Sequence, residues 1–185
     1  AGLVGEDGET HHGVFDVAYL STVPGMKVLC PASFAELREM LRSAVEDMDG
    51  PVAVRYPRGG EGRYRDCRTE HAALLREGTD VTLVAYGTMI NEALEAAEEL
   101  SGRGVSAEVI KLGQVCPIDT GSVYSSLKKT GRIVIAEEVC AAGSAGMNIL
   151  AGAAGELKFA ARLLNLGSGI AQQGTTAELR AAAGI

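Results

Sequence analysis

The sequence predicts an α/β fold in which parallel sheets are covered by helices on both faces. Short apolar runs alternate with segments of helical periodicity, and Pro or Gly ends most of these runs. Hydroxyl or acidic residues that cap helices begin several of the helical segments. The 185 residues permit one large domain or two small ones. The alternation favours two doubly wound units, each with three layers.

The first unit, residues 1–57, carries a single strand–helix–strand pattern. Predicted strands at residues 26–30 and 52–56 flank a helix that begins with a capping box formed by Ser33 and Glu36. One strong helix cannot cover both faces of a sheet, so we expect this unit to be the C-terminal half of a domain in a longer protein. The apolar face predicted for the helix consists of Phe34, Leu37, Met40, Leu41, Ala44, Val45 and Met48.

Residues 58–73 lose all periodicity, because glycines alternate there with charged side chains. This composition predicts an exposed linker and a domain boundary. The second unit, residues 74–185, resumes the alternation and ends with a capping box at Thr175 and Glu178. Its predicted strands are residues 81–86, 105–112, 132–136 and 159–166, and its predicted helices begin near Thr88, Asp119, Gly143 and Thr175.

Composition excludes several classes of protein. The net charge of −7 disfavours nucleic acid or an anionic membrane as the main partner, since both require a basic surface. The four cysteines match no zinc-binding spacing, and Cys30 and Cys116 lie in apolar runs that suit core positions. No signal peptide and no apolar run long enough to span a bilayer are present. We therefore expect a protein of the reducing cytoplasm.

The stretch Gly5–Gly13, which we call the polar loop, is the first candidate site. It places three carboxylates, one hydroxyl and two imidazoles between glycines, where they cannot form a core. His11 is a candidate for proton transfer or for polarising a carbonyl group, although a surface histidine with no role is an equally good interpretation from the sequence alone. The His11–His12 pair lacks a third ligand at helical or strand spacing, so we expect no metal site.

Arg58 is the second candidate. It follows a predicted strand in the run Tyr56-Pro57-Arg58-Gly59, at the edge of the sheet where α/β proteins bind ligands. A guanidinium there can bind a phosphate or carboxylate through two hydrogen bonds, although a solvated linker arginine fits the sequence equally well. Glu137 and Glu138 also end a strand, and they fit either a site or a strand-to-helix turn. No dinucleotide-binding glycine pattern is present.

Three stretches together resemble a known family. They are "AGLVGEDGETHHGVFDVAYLSTVPGMKVLCPAS", "DGPVAVRYPRG" and "QQGTTAELRAAAGI". They are similar to the C-terminal part of the 1-deoxy-D-xylulose-5-phosphate synthase family, which consists of transketolase-like, thiamine-diphosphate-dependent enzymes. The resemblance runs over essentially the whole chain. It implies the latter half of a pyrimidine-binding domain followed by a complete transketolase C-terminal domain.

The resemblance also implies roles for three residues. The family's Asp-Gly-x-Thr-His loop corresponds to Asp7-Gly8-Glu9-Thr10-His11. His11 would hydrogen-bond the oxygen of the donor substrate, and Asp7 would help to hold the acceptor or the intermediate. Both are therefore expected to be catalytic. Arg58, within the family's Tyr-Pro-Arg-Gly motif, would bind the phosphate of the acceptor.

The family condenses pyruvate with glyceraldehyde 3-phosphate and releases carbon dioxide, which begins the supply of isoprenoid and thiamine precursors. The resemblance implies a cytoplasmic homodimeric transferase that uses thiamine diphosphate and Mg²⁺. The motifs that bind this cofactor lie upstream in the family and are absent here, so we expect no cofactor-binding residue in this chain and no activity from it alone.

Two alternatives remain open from the sequence. One is the separate C-terminal subunit of a split transketolase, which is disfavoured because such a subunit should carry a whole pyrimidine-binding domain. The other is a non-catalytic dimerisation or interaction module built mainly on residues 74–185.

Overall fold

The computed structural model describes all residues from 1 to 185 and contains two sheets with helices packed around them. The helices are α1 (Asp16–Leu20), α2 (Phe34–Glu46), α3 (Met89–Gly102), α4 (Thr120–Thr130), α5 (Ala145–Ala153) and α6 (Thr176–Ala183), and a 3-10 helix spans Gly5–Asp7. The strands are β1 (Lys27–Leu29), β2 (Val52–Val54), β3 (Ala72–Arg76), β4 (Val81–Tyr86), β5 (Ala107–Leu112), β6 (Gln114–Cys116), β7 (Arg132–Ala136) and β8 (Ala160–Leu164). No helix combines the length and the apolar character that a bilayer span requires.

The larger sheet confirms the α/β prediction for the second unit. Its strand order is β3-β5-β4-β7-β8, and β5, β4, β7 and β8 run parallel. Helix α3 packs on one face over a buried cluster that includes Ile90, Ala97 and Val109. Helices α4 and α5 cover the other face, where Leu127 and Ile149 are buried. These helices and the sheet make three layers.

Two antiparallel strands depart from the predicted parallel pattern. Strand β3 pairs with β5 at the edge of the larger sheet, and it begins at Ala72 within the stretch that showed no periodicity. Strand β6 leaves β5 after Gly113 and pairs with β1 in the smaller sheet, whose order is β2-β1-β6. A Cβ atom on Gly113 would collide with the carbonyl oxygen of Glu70, which explains the glycine at this turn. The two units therefore share a sheet.

Helix α2 forms as predicted, but much of its predicted apolar face is exposed to solvent. Met40 is buried, but Phe34, Leu41 and Val45 are exposed. The sheet beside this helix has only three strands. The hydroxyl of Ser33 accepts the Glu36 amide as expected. The Glu36 carboxylate does not return to Ser33, and instead accepts the amide of Ala32 at 2.8 Å.

Of the other predicted helix caps, two form as expected and one does not. Thr175 and Glu178 form a complete capping box at α6, and the Asp119 side chain accepts the Gly121 amide at the start of α4. Thr88 occupies the cap position of α3, but its side chain makes no capping bond. Cys30 is fully buried in the core, and Cys116 is partly buried against it.

Candidate active site

The polar loop is closed at its base and folded tightly. Gly2 and Gly13 pair through two backbone hydrogen bonds of 2.8 and 2.9 Å, which bring the ends of the loop together. The 3-10 helix then turns the chain, with Gly5 at φ 58° and Gly8 at φ 84°. Side chains other than glycine rarely adopt these angles. The glycines thus allow the loop to present Asp7 and the residues after it.

Asp7 and Arg58 are brought together by the fold. Arg58 follows β2 by four residues and forms an ion pair with the Asp7 carboxylate through its Nη1 atom. The Arg58 side chain is 65% exposed and that of Asp7 is 28% exposed, so both can be reached by a ligand. Because the pair is exposed, solvent screens it and its contribution to stability is small. An incoming anion could therefore displace Asp7 from Arg58.

His11 lies on the same loop with one side of its ring free. Its Nδ1 atom is 3.0 Å from the hydroxyl oxygen of Thr10, and its backbone amide donates to the Gly8 carbonyl at 3.1 Å. The Nε2 atom makes no hydrogen bond, and His11 makes none to Asp7 or Arg58. Of the three predicted site residues, the structure pairs two and leaves the third exposed on the same loop.

His12, which the sequence suggested only as part of a metal pair, instead joins the loop to the end of the chain. Its Nδ1 atom accepts the Val4 amide at 3.2 Å, and its Nε2 atom lies 2.9 Å from the carbonyl oxygen of Gln172. These partners assign the ring proton to Nε2, because an amide can only donate and a carbonyl can only accept. Nothing in the local sequence signals this role, since Gln172 is 160 residues away.

Arg55 is a second residue that sequence analysis missed. It is 8% exposed and forms an ion pair with Asp16, at 2.8 Å between Nε and Oδ2. Its Nη2 atom donates to the carbonyl oxygens of Gly13, at 3.3 Å, and Glu138, at 3.1 Å. The guanidinium carbon is 5.7 Å from the centre of the Tyr86 ring. Arg55 thus fixes the end of the polar loop against the second unit.

A cleft of about 290 Å³ lies beside Arg58, between the two units. A second arginine, Arg180, lines it, but its guanidinium binds Glu138 at 2.5 Å and Glu92 at 2.7 Å. Arg180 is held by two carboxylates and its side chain is only 19% exposed, whereas Arg58 has one partner and is 65% exposed. Arg58 is therefore the guanidinium that an anion in this cleft would meet.

Glu137 and Glu138 have structural partners. Oε2 of Glu137 accepts the Tyr86 hydroxyl at 2.9 Å and the Gly146 amide at 3.2 Å, which joins β4 and β7 to the start of α5. Burial raises the pKa of the Glu137 carboxyl, because hydrogen bonds from Tyr86 and Gly146 offset only part of the cost of burying its charge. These contacts favour the strand-to-helix turn over a ligand site for this pair.

The residues described contain no group of three or more His, Cys, Asp or Glu side chains that could hold a metal ion.

Comparison with known proteins assigns both units. The family model "Transketolase, C-terminal domain" matches residues 70–185, which is more than half of the chain. The model "Transketolase, pyrimidine binding domain" matches residues 1–61. The chain belongs to the transketolase family. The resemblance inferred from the sequence motifs is thereby confirmed, as is the fold it implied.

Relatives of this transketolase-family chain are named 1-deoxy-D-xylulose-5-phosphate synthase. The protein of Gloeobacter violaceus is 42% identical over 81% of this chain and 25% of its own length. That of Geobacter sulfurreducens is 40% identical over 100% of this chain and 30% of its own. The protein of Thermomicrobium roseum is 44% identical over 81% of this chain and 25% of its own length. The chain thus spans less than a third of these relatives.

Solved structures agree with the family. A chain of "Split gene transketolase, inactive beta4 tetramer" is 28% identical with a TM-score of 0.78, over 95% of this chain and 62% of that one. A transketolase mutant from Pichia stipitis is 21% identical with a TM-score of 0.73. The match spans 97% of this chain and 26% of the mutant's chain, and it supports the fold alone.

Proposed function

We propose that this chain is the C-terminal part of a thiamine-diphosphate-dependent transferase. The enzyme condenses pyruvate with glyceraldehyde 3-phosphate, releases carbon dioxide and forms 1-deoxy-D-xylulose 5-phosphate. The names of the relatives support this reaction over that of transketolase. The observation that carries the proposal is the ion pair between Arg58 and Asp7, the latter on the loop that also presents His11. Together these residues supply an anion-binding group and a proton-bearing ring in one place.

Each of the three side chains has a separate task. Arg58 binds the phosphate of glyceraldehyde 3-phosphate, and the phosphate replaces Asp7 as its partner. The released carboxylate of Asp7 then accepts a hydrogen bond from a hydroxyl of the acceptor. His11 offers its free Nε2 atom to the oxygen of the donor, while Thr10 orients the ring through Nδ1. Binding of the phosphate by Arg58 thus frees Asp7 to bind the acceptor.

The cofactor does not fit the residues of this chain. A diphosphate held by Mg²⁺ needs several oxygen ligands around the metal, and the chain offers no group of three or more His, Cys, Asp or Glu side chains for this purpose. We therefore assign thiamine diphosphate and Mg²⁺ to other parts of the full-length enzyme. The chain alone is accordingly inactive and forms one wall of the active site.

The proposal includes the organisation of the protein. We assign residues 1–57 to the latter half of the pyrimidine-binding domain, 58–73 to a linker and 74–185 to the C-terminal domain. The residues matched by the two family models support this division. The full-length enzyme would be a cytoplasmic homodimer that supplies precursors for isoprenoids and thiamine.

The test is His11→Ala in the full-length enzyme, with pyruvate consumption and product formation as readouts. Losing a group that exchanges or shares a proton with the reacting oxygen should lower turnover by about 10²- to 10⁴-fold. Glu9→Gln is the matched control, because Glu9 is an exposed neighbour on the same loop with no side-chain hydrogen bond. If His11→Ala turns over as fast as the control, the assigned role is wrong.

A second candidate is the C-terminal subunit of a split transketolase. It is favoured by the TM-score of 0.78 to a chain of a split-gene transketolase, of which this chain covers 62%. The sequence upstream in the same reading frame distinguishes the two. A glycine-rich diphosphate motif in frame supports the single-chain synthase, and a start codon that leaves only the missing part of the pyrimidine-binding domain upstream supports the split enzyme.

A further inference from the structure

The polar loop is held against the C-terminal segment, residues 172–176, at three places. The Nε2 atom of His12 lies 2.9 Å from the Gln172 carbonyl oxygen. The side-chain amide of Gln173 donates to the Glu6 carbonyl at 3.1 Å. Gly5 packs so closely that a Cβ atom there would be 3.0 Å from the Gly174 carbonyl oxygen. The partner residues in these contacts lie in the second unit, and no residue of that unit has a role in the proposed reaction.

The two nitrogens of His12 make two different kinds of contact. Nδ1 accepts the Val4 amide and so holds the loop to its own beginning. Nε2 donates to Gln172 and so holds the loop to the other unit. Since the ring is only partly buried and His11 is the adjacent residue, displacement of His12 would also move the imidazole of His11.

We propose that His12 is a positioning residue through which the second unit fixes the loop that presents His11. This inference rests on the proposed function, since it assigns His12 to the same reaction. The hydrogen bond from Nε2 to the Gln172 carbonyl is its essential element, and the bond from Val4 to Nδ1 is secondary.

The loop needs such an anchor because its own contacts are few. Its base is closed by the Gly2–Gly13 pair, but beyond the 3-10 helix the residues that present His11 are exposed. Gly8 has no neighbouring atom within 4 Å of a Cβ position, so packing does not restrain the loop there. A displacement of about 1 Å in a reacting group can cost about 10²-fold in rate, so loss of the anchor should be visible in turnover.

Two near-isosteric substitutions separate the two bonds of His12. The amide nitrogen of Gln can reach the position of Nε2, whereas the amide oxygen of Asn reaches only that of Nδ1. His12→Gln should therefore keep the bond to Gln172, and His12→Asn should keep only the bond from Val4. In the full-length enzyme, we expect His12→Ala and His12→Asn to lower kcat by about ten- to a hundredfold. His12→Gln should remain near wild type, and KM for glyceraldehyde 3-phosphate should be unchanged in all three.

Gln172→Ala is the matched control, because it removes a side chain at the same contact and leaves the carbonyl that His12 binds. Hydrogen exchange over residues 5–13 gives a readout that does not need activity, and it should accelerate in His12→Ala and His12→Asn only. Any other ranking of the three variants overturns the inference, including equal loss in His12→Gln and His12→Asn or no loss in any. If the wild-type enzyme does not form 1-deoxy-D-xylulose 5-phosphate, the proposed function fails, and the exchange data alone decide whether His12 anchors the loop.

Discussion

Lys111 and Glu36 form a completely buried ion pair that joins the two units of the chain. The Lys111 Nζ atom on β5 is 3.0 Å from Oε1 of Glu36 on α2, and both side chains are 0% exposed. The same Oε1 accepts the Tyr64 hydroxyl at 2.7 Å and the Arg68 amide at 3.1 Å. The carboxylate therefore holds α2, the segment between the units and β5 to one another.

Lys111→Met should strongly destabilise the protein. The substitution keeps the length of the side chain but leaves the Glu36 carboxylate buried without its cation, which costs about 3–5 kcal/mol. Adding Glu36→Gln should recover part of the loss, since a neutral amide oxygen can still accept from Tyr64 and Arg68, while the bond from the Ala32 amide is lost. Thermal unfolding of the two single variants and the double variant checks this. Losses that simply add would contradict the coupling.

Helix α2 shows how far sequence analysis could reach in the fold. Its periodicity predicted the helix and the side chains that share a face, and Ser33 predicted its start. Periodicity cannot tell what lies opposite that face, so the exposure of Phe34 and Val45 could not be predicted. Glu36 appeared to complete a local capping box, whereas its true partner, Lys111, is distant in the sequence. Strand β6 was missed because three residues carry too little pattern.

Arg58→Lys should raise KM for glyceraldehyde 3-phosphate about tenfold or more in the full-length enzyme, because an ammonium cannot replace the two-point contact of a guanidinium. KM for pyruvate, which carries no phosphate, should not change. Arg63→Lys is the matched control, since Arg63 is an exposed arginine of the same segment whose ion pair with Glu98 is 3.7 Å long. Steady-state kinetics with each substrate varied in turn provide the measurement. Equal increases in both KM values would contradict the assignment of Arg58 to the phosphate.

The roles of His11, Asp7 and Arg58 stay predictions, but the structure shows how these residues are placed. The polar loop was singled out by its composition, Arg58 by its position after a strand and Asp7 by the family resemblance, and the structure pairs Asp7 with Arg58. Arg55 and His12 were missed because their partners are far along the chain: Glu138 for Arg55 and Gln172 for His12. From the sequence alone, a buried arginine at the end of a strand cannot be distinguished from an exposed one.

Cys67 should react with iodoacetamide much faster than Cys30 or Cys140. Cys67 is exposed, whereas burial raises the pKa of Cys30 to about 12 and also raises that of Cys140, so little thiolate is present at neutral pH. Mass spectrometry after short labelling of the native protein identifies the alkylated residue, and Cys67→Ser should remove the fast phase. Early labelling of Cys30 would show that the core around β1 opens.

Glu137→Gln should stabilise the protein at neutral pH, and the gain should shrink as the pH falls. Burial raises the pKa of the Glu137 carboxyl above its ordinary value of 4.5, so the folded state holds this proton more tightly than the unfolded state. Between 4.5 and the raised pKa the folded protein binds more protons, and stability therefore falls as the pH rises through this window. Glutamine has no charge to bury and keeps an oxygen that can accept from Tyr86 and Gly146. Unfolding midpoints of both proteins at several pH values from 4 to 8 measure the difference. A gain that is constant across this range would show that Glu137 does not titrate differently in the folded and unfolded states.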